Sequence, residues 1–192
     1  MKYTRVPARG LASWLRTAIH VAPVISVFFV GMLGSACTSL DMDDWPAVKE
    51  GIRQRYPEVQ QISPADLSRW LSTPDTTQPL LLDVRTPDEF VVSHLPGAYL
   101  TRHAQDARQR LTDVGIDTPI VLYCSIGYRS SGLAELLRRQ GFTHVRNLEG
   151  SLFAWANEGR PLVDDQNKPT TVVHPYDRPW SGLLEQQHWS SQ

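Results

Sequence analysis

The most reactive side chain in a chemically suggestive position is Cys124, which lies between an apolar run and a helical pattern. The run Ile120-Val121-Leu122-Tyr123 predicts a strand buried on both faces. Leu133, Leu136 and Leu137 fall on one stripe and predict a helix. A strand that enters a helix through a short loop leaves its last side chain at the carboxyl edge of the sheet. Open α/β sheets bind their ligands at that edge.

Two features favour the thiolate form of Cys124. The predicted helix presents unpaired N–H groups and the positive end of its dipole to the loop, and both stabilise an anion. Arg129 adds a fixed positive charge five residues after the cysteine. We therefore expect a thiol pKa below the free value of about 8.5. In the alternative interpretation Cys124 is a small apolar residue that ends a strand, but position, dipole and arginine together favour a nucleophile.

The loop resembles the active-site loop of rhodanese-type sulfurtransferases, in which a cysteine opens a short loop with Gly and Arg before a helix. The resemblance covers most of residues 60–163 and includes three further motifs in the family's order. These are Leu82-Asp83-Val84-Arg85 with Glu89-Phe90, His94-Leu95-Pro96-Gly97-Ala98, and Asn147-Leu148-Glu149-Gly150-Ser151 with Trp155. The resemblance implies an α/β, rhodanese-like fold with a central parallel sheet flanked by helices on both faces.

Alternating short strands and helices predict the same parallel α/β architecture independently. We predict strands at 59–62, 80–82, 98–100, 120–123 and 143–148. We predict helices before Pro57, from Pro64, after Thr86, over 107–114, after the cysteine loop and from Gly150. The helix after Thr86 begins with a capping box, Thr86-Pro87-Asp88-Glu89, and is expected to turn Phe90 and Val91 inward.

The first 36 residues differ from the rest. Lys2, Arg5, Arg9 and Arg16 precede a stretch over 17–36 without Asp, Glu, Lys or Arg, which ends in Gly-Ser-Ala. This pattern predicts an export signal, or a retained anchor, since about 20 residues can cross a bilayer. In both cases the remaining chain is expected on the periplasmic side of a bacterial membrane.

Cys37 follows this exit directly and resembles a lipoprotein processing site, although Gly34 stands where leucine is usual. Cleavage, lipidation at Cys37 and retention all stay open. We divide the chain into a signal or anchor (1–36), a linker and helix (37–58), a rhodanese-like domain (59–163) and a tail (164–192).

Composition excludes several other classes of function. Loss of residues 1–36 changes the balance from 19 basic and 20 acidic residues to 15 and 20, which gives no basic footprint for nucleic acid. Two cysteines form no disulfide framework or zinc cluster, and the six histidines show no metal-ligand spacing. We predict no metal, no cofactor and no nucleic-acid partner.

The resemblance implies covalent catalysis in which Cys124 attacks the outer sulfur of an anionic donor such as thiosulfate and becomes a persulfide. A thiol or a cyanide-like acceptor then removes that sulfur. Most of the expected substrate-binding residues lie in the loop after Cys124, whose backbone N–H groups are expected to cradle the sulfur. One more, Arg85, follows the predicted strand at 80–82. Expected substrate-binding residues are Ser125, Ile126, Gly127, Tyr128, Arg129, Ser130 and Arg85.

Three residues near the predicted site leave a choice of role. Asp83 is expected to bond to backbone or pair with an arginine. His94 could serve as a general base, but its Leu-Pro-Gly context and the resemblance favour structural support. Tyr128 either lines the pocket mouth or faces solvent.

Two rival functions remain. Cysteine phosphatases also combine thiolate, arginine and helix N-terminus, but their loop is one residue longer than Cys124-Ser125-Ile126-Gly127-Tyr128-Arg129. The other rival is a non-enzymatic, membrane-tethered sulfur carrier or protein-binding module with Cys124 as a redox-sensitive thiol. The tail, with Pro175-Tyr176 and Pro179-Trp180, either docks on the domain or meets a protein partner.

Overall fold

A run of apolar residues forms the central strand, β4 (Ile120–Tyr123), and every residue in it is buried. The chain is described by a computed structural model over residues 44–176 and 178–190. Five parallel strands form one sheet in the order β1-β5-β4-β2-β3. The other four strands are β1 (Gln60–Ile62), β2 (Leu80–Asp83), β3 (Tyr99–Leu100) and β5 (Val145–Leu148).

Helices precede, connect and follow the strands of the sheet. They are α1 (Trp45–Arg55), α2 (Pro64–Ser72), α3 (Pro87–Val92), α4 (Ala104–Arg110), α5 (Tyr128–Arg139) and α6 (Ser151–Asn157). The tail adds an antiparallel hairpin of β6 (Leu162–Val163) and β7 (Pro169–Thr170), then α7 (Arg178–Ser181) and a 3-10 turn (Gln186–His188).

The sheet separates two hydrophobic clusters because side chains alternate along β4. Val121 and Tyr123 pack with α2, α6 and the tail, where Leu183 and Leu184 are buried. Ile120 and Leu122 pack with α1, α4 and α5. The predicted fold class, a parallel α/β sheet with helices on both faces, is confirmed.

Three predicted elements differ in the structure. The helix predicted over 107–114 begins earlier, because the Asp106 carboxylate accepts the His103 N–H at 3.1 Å and fixes the start of α4. Val91 is 46% exposed, contrary to expectation, and Glu89 is the buried residue of α3. The last strand of the sheet begins at Val145 rather than Thr143.

The region without periodicity after Pro161 is also folded. The β6–β7 hairpin spans the boundary placed after 163, and the His94 and Val163 backbones exchange two hydrogen bonds of 2.8 and 3.0 Å. Asn157 holds the tail through bonds to the Leu183 carbonyl and the Glu185 N–H. Residues 1–36 and Cys37 lie outside the described residues. Within the described part, no helix is long and apolar enough to cross a membrane.

Candidate active site

Cys124 lies at the carboxyl end of β4, and a three-residue loop separates it from α5. Only 1% of the residue is exposed. The Gly127 N–H donates a hydrogen bond of 3.1 Å to the Cys124 sulfur. The loop therefore directs at least one backbone donor at the sulfur, which is the arrangement that stabilises a thiolate.

The N-terminus of α6 anchors the loop through backbone hydrogen bonds. The Leu152 N–H bonds to the Cys124 carbonyl and the Phe153 N–H to the Ser125 carbonyl, each at 3.0 Å. The Ser151 hydroxyl accepts the Cys124 N–H at 3.1 Å and donates to the Leu148 carbonyl at 3.0 Å. These bonds fix the backbone at Cys124 and Ser125 and use two donors that a helix start would otherwise leave unpaired.

Gly127 requires the absence of a side chain. Its φ of +110° is in the left-handed region, and an added Cβ would lie 3.1 Å from the Asn147 amide nitrogen. Only glycine adopts such a φ without cost. The turn that brings the Gly127 N–H to the sulfur therefore depends on this residue.

Arg129 is held by a buried carboxylate. Its Nη1 and Nη2 donate to the two Glu89 carboxylate oxygens at 3.0 and 2.8 Å, and Nη2 also donates to the Ser125 hydroxyl at 2.9 Å. The Ser125 hydroxyl donates to Glu89 at 2.9 Å, and the Thr86 N–H does so at 2.9 Å. Burial raises the pKa of Glu89. The bonds from Arg129 and Thr86 and the charge of Arg129 lower it by more, so that the net pKa is about 2.

The pKa of Cys124 reflects opposing effects. Burial raises the pKa of the thiol, whereas the charge of Arg129, the Ser130 hydroxyl and the N–H groups of Ser130 and Gly127 lower it. The net effect is a pKa below the ordinary value. The Ser130 hydroxyl is fully buried and has no hydrogen-bond partner of ordinary geometry among the described residues, so it is free to turn toward a charged sulfur.

A pocket of about 90 Å³ opens above the sulfur. Loop residues and two residues of the tail line it. They are Cys124, Ser125, Ile126, Tyr128, Arg129, Tyr176 and Trp180. The Tyr176 ring stacks on the Arg129 guanidinium at 4.5 Å. Tyr128 is 48% exposed, meets the Tyr56 ring edge to face at 5.5 Å and lines the pocket.

Arg85 lies in a different place from the loop residues. It is completely buried, donates two bonds of 3.0 and 2.7 Å to the Asp83 carboxylate from Nε and Nη2, and also donates to the Ser93 carbonyl. Arg85 therefore supports the loop around Asp83 and Ser93 and does not line the pocket above Cys124. This position differs from the expectation that Arg85 contacts the donor.

Asp83 and His94 both occupy supporting positions. Asp83 accepts the Arg85 N–H and side chain. The His94 ring stacks on Phe90 at 3.8 Å, and its Nδ1 lies 3.1 Å from the Phe90 carbonyl.

Four site residues were not identified from sequence. Glu89 carried a signal, since it completes the capping box and belongs to a family motif, but that role hid its contact with Arg129. Ser151 also belongs to a motif, and its φ of +50° marks a constrained position. Tyr176 and Trp180 were noted as candidates for docking on the domain, but their position at the pocket could not be predicted, because only the tertiary fold brings the tail there. Among the described residues, no cluster of three His, Cys, Asp or Glu side chains is placed to hold a metal.

A thiolate cradled by amides at the carboxyl edge of a parallel sheet defines a class of covalent group-transfer sites. The chain belongs to the rhodanese-like domain family, whose family model matches residues 63–158. This match confirms the family that the cysteine loop and the three further motifs predicted.

Three similar proteins illustrate this membership. The "Sulfurtransferase" of Allochromatium vinosum is 37% identical over 106 residues, which are 55% of this chain and 95% of that protein. The "Probable adenylyltransferase/sulfurtransferase MoeZ" of Mycobacterium tuberculosis is 33% identical over 102 residues, 52% of this chain but only 25% of that protein. The crystal structure of a thiosulfate sulfurtransferase from Pseudomonas aeruginosa is 18% identical, with a TM-score of 0.53 over 67% of this chain and 24% of that one, and shows the shared fold. Family and relatives together support a sulfurtransferase activity.

Proposed function

We propose that this protein moves a sulfane sulfur from thiosulfate or a similar anionic donor to a thiophilic acceptor through a persulfide on Cys124. The observation that carries the proposal is the Cys124 sulfur itself. It receives the Gly127 N–H at 3.1 Å and has a lowered pKa. A thiolate is the reactive form of cysteine toward sulfur, and the backbone donor at the sulfur and the lowered pKa both favour that form.

In the first half-reaction the Cys124 thiolate attacks the outer sulfur of thiosulfate. A new S–S bond forms at Cys124, the bond between the outer sulfur and the sulfonate sulfur breaks, and sulfite leaves with that electron pair. No proton is transferred and no external oxidant is required. The loop N–H groups then face a persulfide whose outer sulfur carries the negative charge.

Arg129 is assigned to the donor's oxyanion. Its three bonds to Glu89 and Ser125 use three of the five N–H groups of a guanidinium. Burial lowers the pKa of Arg129, but the bond and charge of Glu89 and the charge of Cys124 raise it, so the side chain stays positive. Arg129 lines the pocket above Cys124, and its remaining N–H groups are assigned to the donor's oxyanion.

In the second half-reaction the acceptor attacks the outer sulfur of the persulfide. The S–S bond breaks, its electron pair returns to Cys124 as thiolate, and the acceptor leaves with the sulfur. With cyanide as acceptor the product is thiocyanate. These steps require neither a metal nor an organic cofactor.

Thiosulfate cyanolysis by the purified protein tests this function, with Cys124→Ala as the inactive variant. We expect thiocyanate formation by the wild type, none above background by the variant, and a wild-type mass increased by one sulfur atom after thiosulfate alone. The control Ser72→Ala, which removes an exposed hydroxyl bonded within α2, should behave as wild type. Absence of both thiocyanate and the persulfide adduct would reject the enzyme.

We further propose that the domain works on the periplasmic side of a bacterial membrane, attached or released according to the processing of residues 1–36. The basic start, the uncharged stretch and Cys37 in the sequence support this. Intact-mass analysis of the membrane and soluble fractions of cells expressing the full chain distinguishes cleavage, lipidation at Cys37 and retention. An unprocessed chain found only in the cytoplasm would contradict the proposal.

A further inference from the structure

A second pocket continues from the one above Cys124 and has a different character. Its volume is about 170 Å³, and three residues line both pockets: Ile126, Tyr128 and Trp180. The rest of its lining comes from α1. The α1 residues are Ala47, Val48, Gly51 and Ile52. We call the two pockets together the sulfur groove.

The charge that a substrate could pair with lies at one end of the sulfur groove. Among the described residues that line the groove, Arg129 is the one cation, and it lines the pocket above Cys124, where it is assigned to the donor's oxyanion, and not the α1 end. The α1 end is lined by aliphatic and aromatic side chains and by a glycine. A charged group placed there would lose its hydration without gaining a partner, which is costly.

The volume of the pocket at α1 limits the size of the group that can bind there. A dry protein cavity of about 150 Å³ can hold a benzene molecule, so the α1 end accommodates one ring or a short branched chain. The pocket of about 90 Å³ above Cys124 is left for the reacting sulfur atoms. The two ends therefore suit a molecule that has a sulfur at one end and a compact apolar group at the other.

We propose that the acceptor in the second half-reaction is an organic thiol with an uncharged, apolar body, which lies against Trp180 and α1. This inference rests on the proposed sulfurtransferase function and assigns the class of its second substrate. The acceptor thiolate attacks the outer sulfur of the Cys124 persulfide, the Cys124 S–S bond breaks, and an organic persulfide leaves while the thiolate is regenerated. Gly51, Trp180 and Val48 are the specificity-determining residues.

Gly51 offers a sharp test because it can be filled. It lies within α1, and an added Cβ would meet no atom within 4 Å, so a larger side chain can extend into the groove without backbone strain. Gly51→Leu is expected to occupy the space of the acceptor's apolar body. Gln54→Leu places the same side chain on the exposed face of the same helix and is the matched control.

The full-length protein is first loaded with thiosulfate, and loading is verified by mass. Transfer rates, expressed per thiolate to remove differences in thiol pKa, are then measured for 2-phenylethanethiol, for 3-mercaptopropionate and for cyanide. We expect the phenyl thiol to react about tenfold faster than the carboxylate thiol, the scale of one apolar group in a matched pocket. Gly51→Leu should abolish this preference and lower the ratio of phenyl thiol to cyanide rates, whereas Gln54→Leu should retain both.

The outcomes separate the two proposals. Failure to form a persulfide with thiosulfate would overturn the proposed function and the acceptor class with it. Normal loading and cyanolysis with equal rates for both thiols would overturn only the acceptor class. A phenyl preference that survives Gly51→Leu, in protein with wild-type circular dichroism and loading, would also overturn it, because the thiol would then bind elsewhere.

Discussion

The electrostatics of the site can be tested at Glu89 through the pH dependence of the free energy of unfolding. Its carboxylate is 2% exposed and accepts hydrogen bonds from Arg129, Ser125 and Thr86. Burial raises its pKa, but Arg129 and Thr86 outweigh burial, and the pKa falls from 4.5 to about 2. The perturbation that isolates this effect is Glu89→Gln, which preserves the shape of the side chain and removes its charge.

The direction of the pH dependence follows from the sign of this change. Because the folded-state pKa lies below the unfolded value, the carboxylate stabilises the fold above pH 4.5 and loses that contribution as the pH falls toward 2. A difference of about 2.5 in pKa corresponds to about 3 kcal/mol at neutral pH, an upper bound. Roughly 2 kcal/mol of it should be lost between about pH 7 and about pH 3.

Urea denaturation of wild type and Glu89→Gln across this pH range measures the effect. The free energy of unfolding of the wild type should fall by about 2 kcal/mol more than that of the variant. Asp88→Asn makes the same chemical change at an exposed position of α3 and should follow the wild type. Parallel pH profiles for wild type and Glu89→Gln would refute the argument that Glu89 is held ionised by Arg129.

Three further changes test the loop. Ser130→Ala should raise the pKa of Cys124, seen as a shift of the iodoacetamide alkylation profile to higher pH; an unchanged profile would remove this hydroxyl from the site. Arg129→Ala should raise the thiosulfate KM more than the KM of an uncharged persulfide donor, and equal effects on both would contradict its role with oxyanions. Gly127→Ala should cost about 1–3 kcal/mol in unfolding experiments, because φ is +110° and the new Cβ approaches Asn147; wild-type stability would show that the turn tolerates a side chain.

The catalytic loop was predictable because its information is local. A buried strand, a cysteine, a glycine and a helix stripe follow one another within residues 120–137, and each fixes the geometry of the next. Burial of the sheet on both faces followed for the same reason, since uninterrupted apolar strands need cover on each side. The order of the strands was not predicted, because it depends on pairing between segments far apart in the chain.

Glu89 shows where local reasoning stopped. Glu89 was identified only as the last residue of the capping box, while Val91 was expected to face the core. In the structure Glu89 is buried and Val91 is 46% exposed. The reason is that Glu89 pairs with Arg129, 40 residues later in the chain. The local pattern of a helix contains no information about so distant a partner.

The elements to which we assign the proposed acceptor preference lie largely outside the region matched by the family model. The family model covers residues 63–158 and therefore contains Cys124, Glu89 and Arg129. The walls of the sulfur groove come also from α1, which precedes this region, and from Tyr176 and Trp180, which follow it. Under the acceptor proposal, this chain shares its fold with its relatives, and its own flanking segments select the thiol. On this view, replacing α1 or the tail by those of a relative should change the order of acceptors and leave persulfide formation at Cys124 intact.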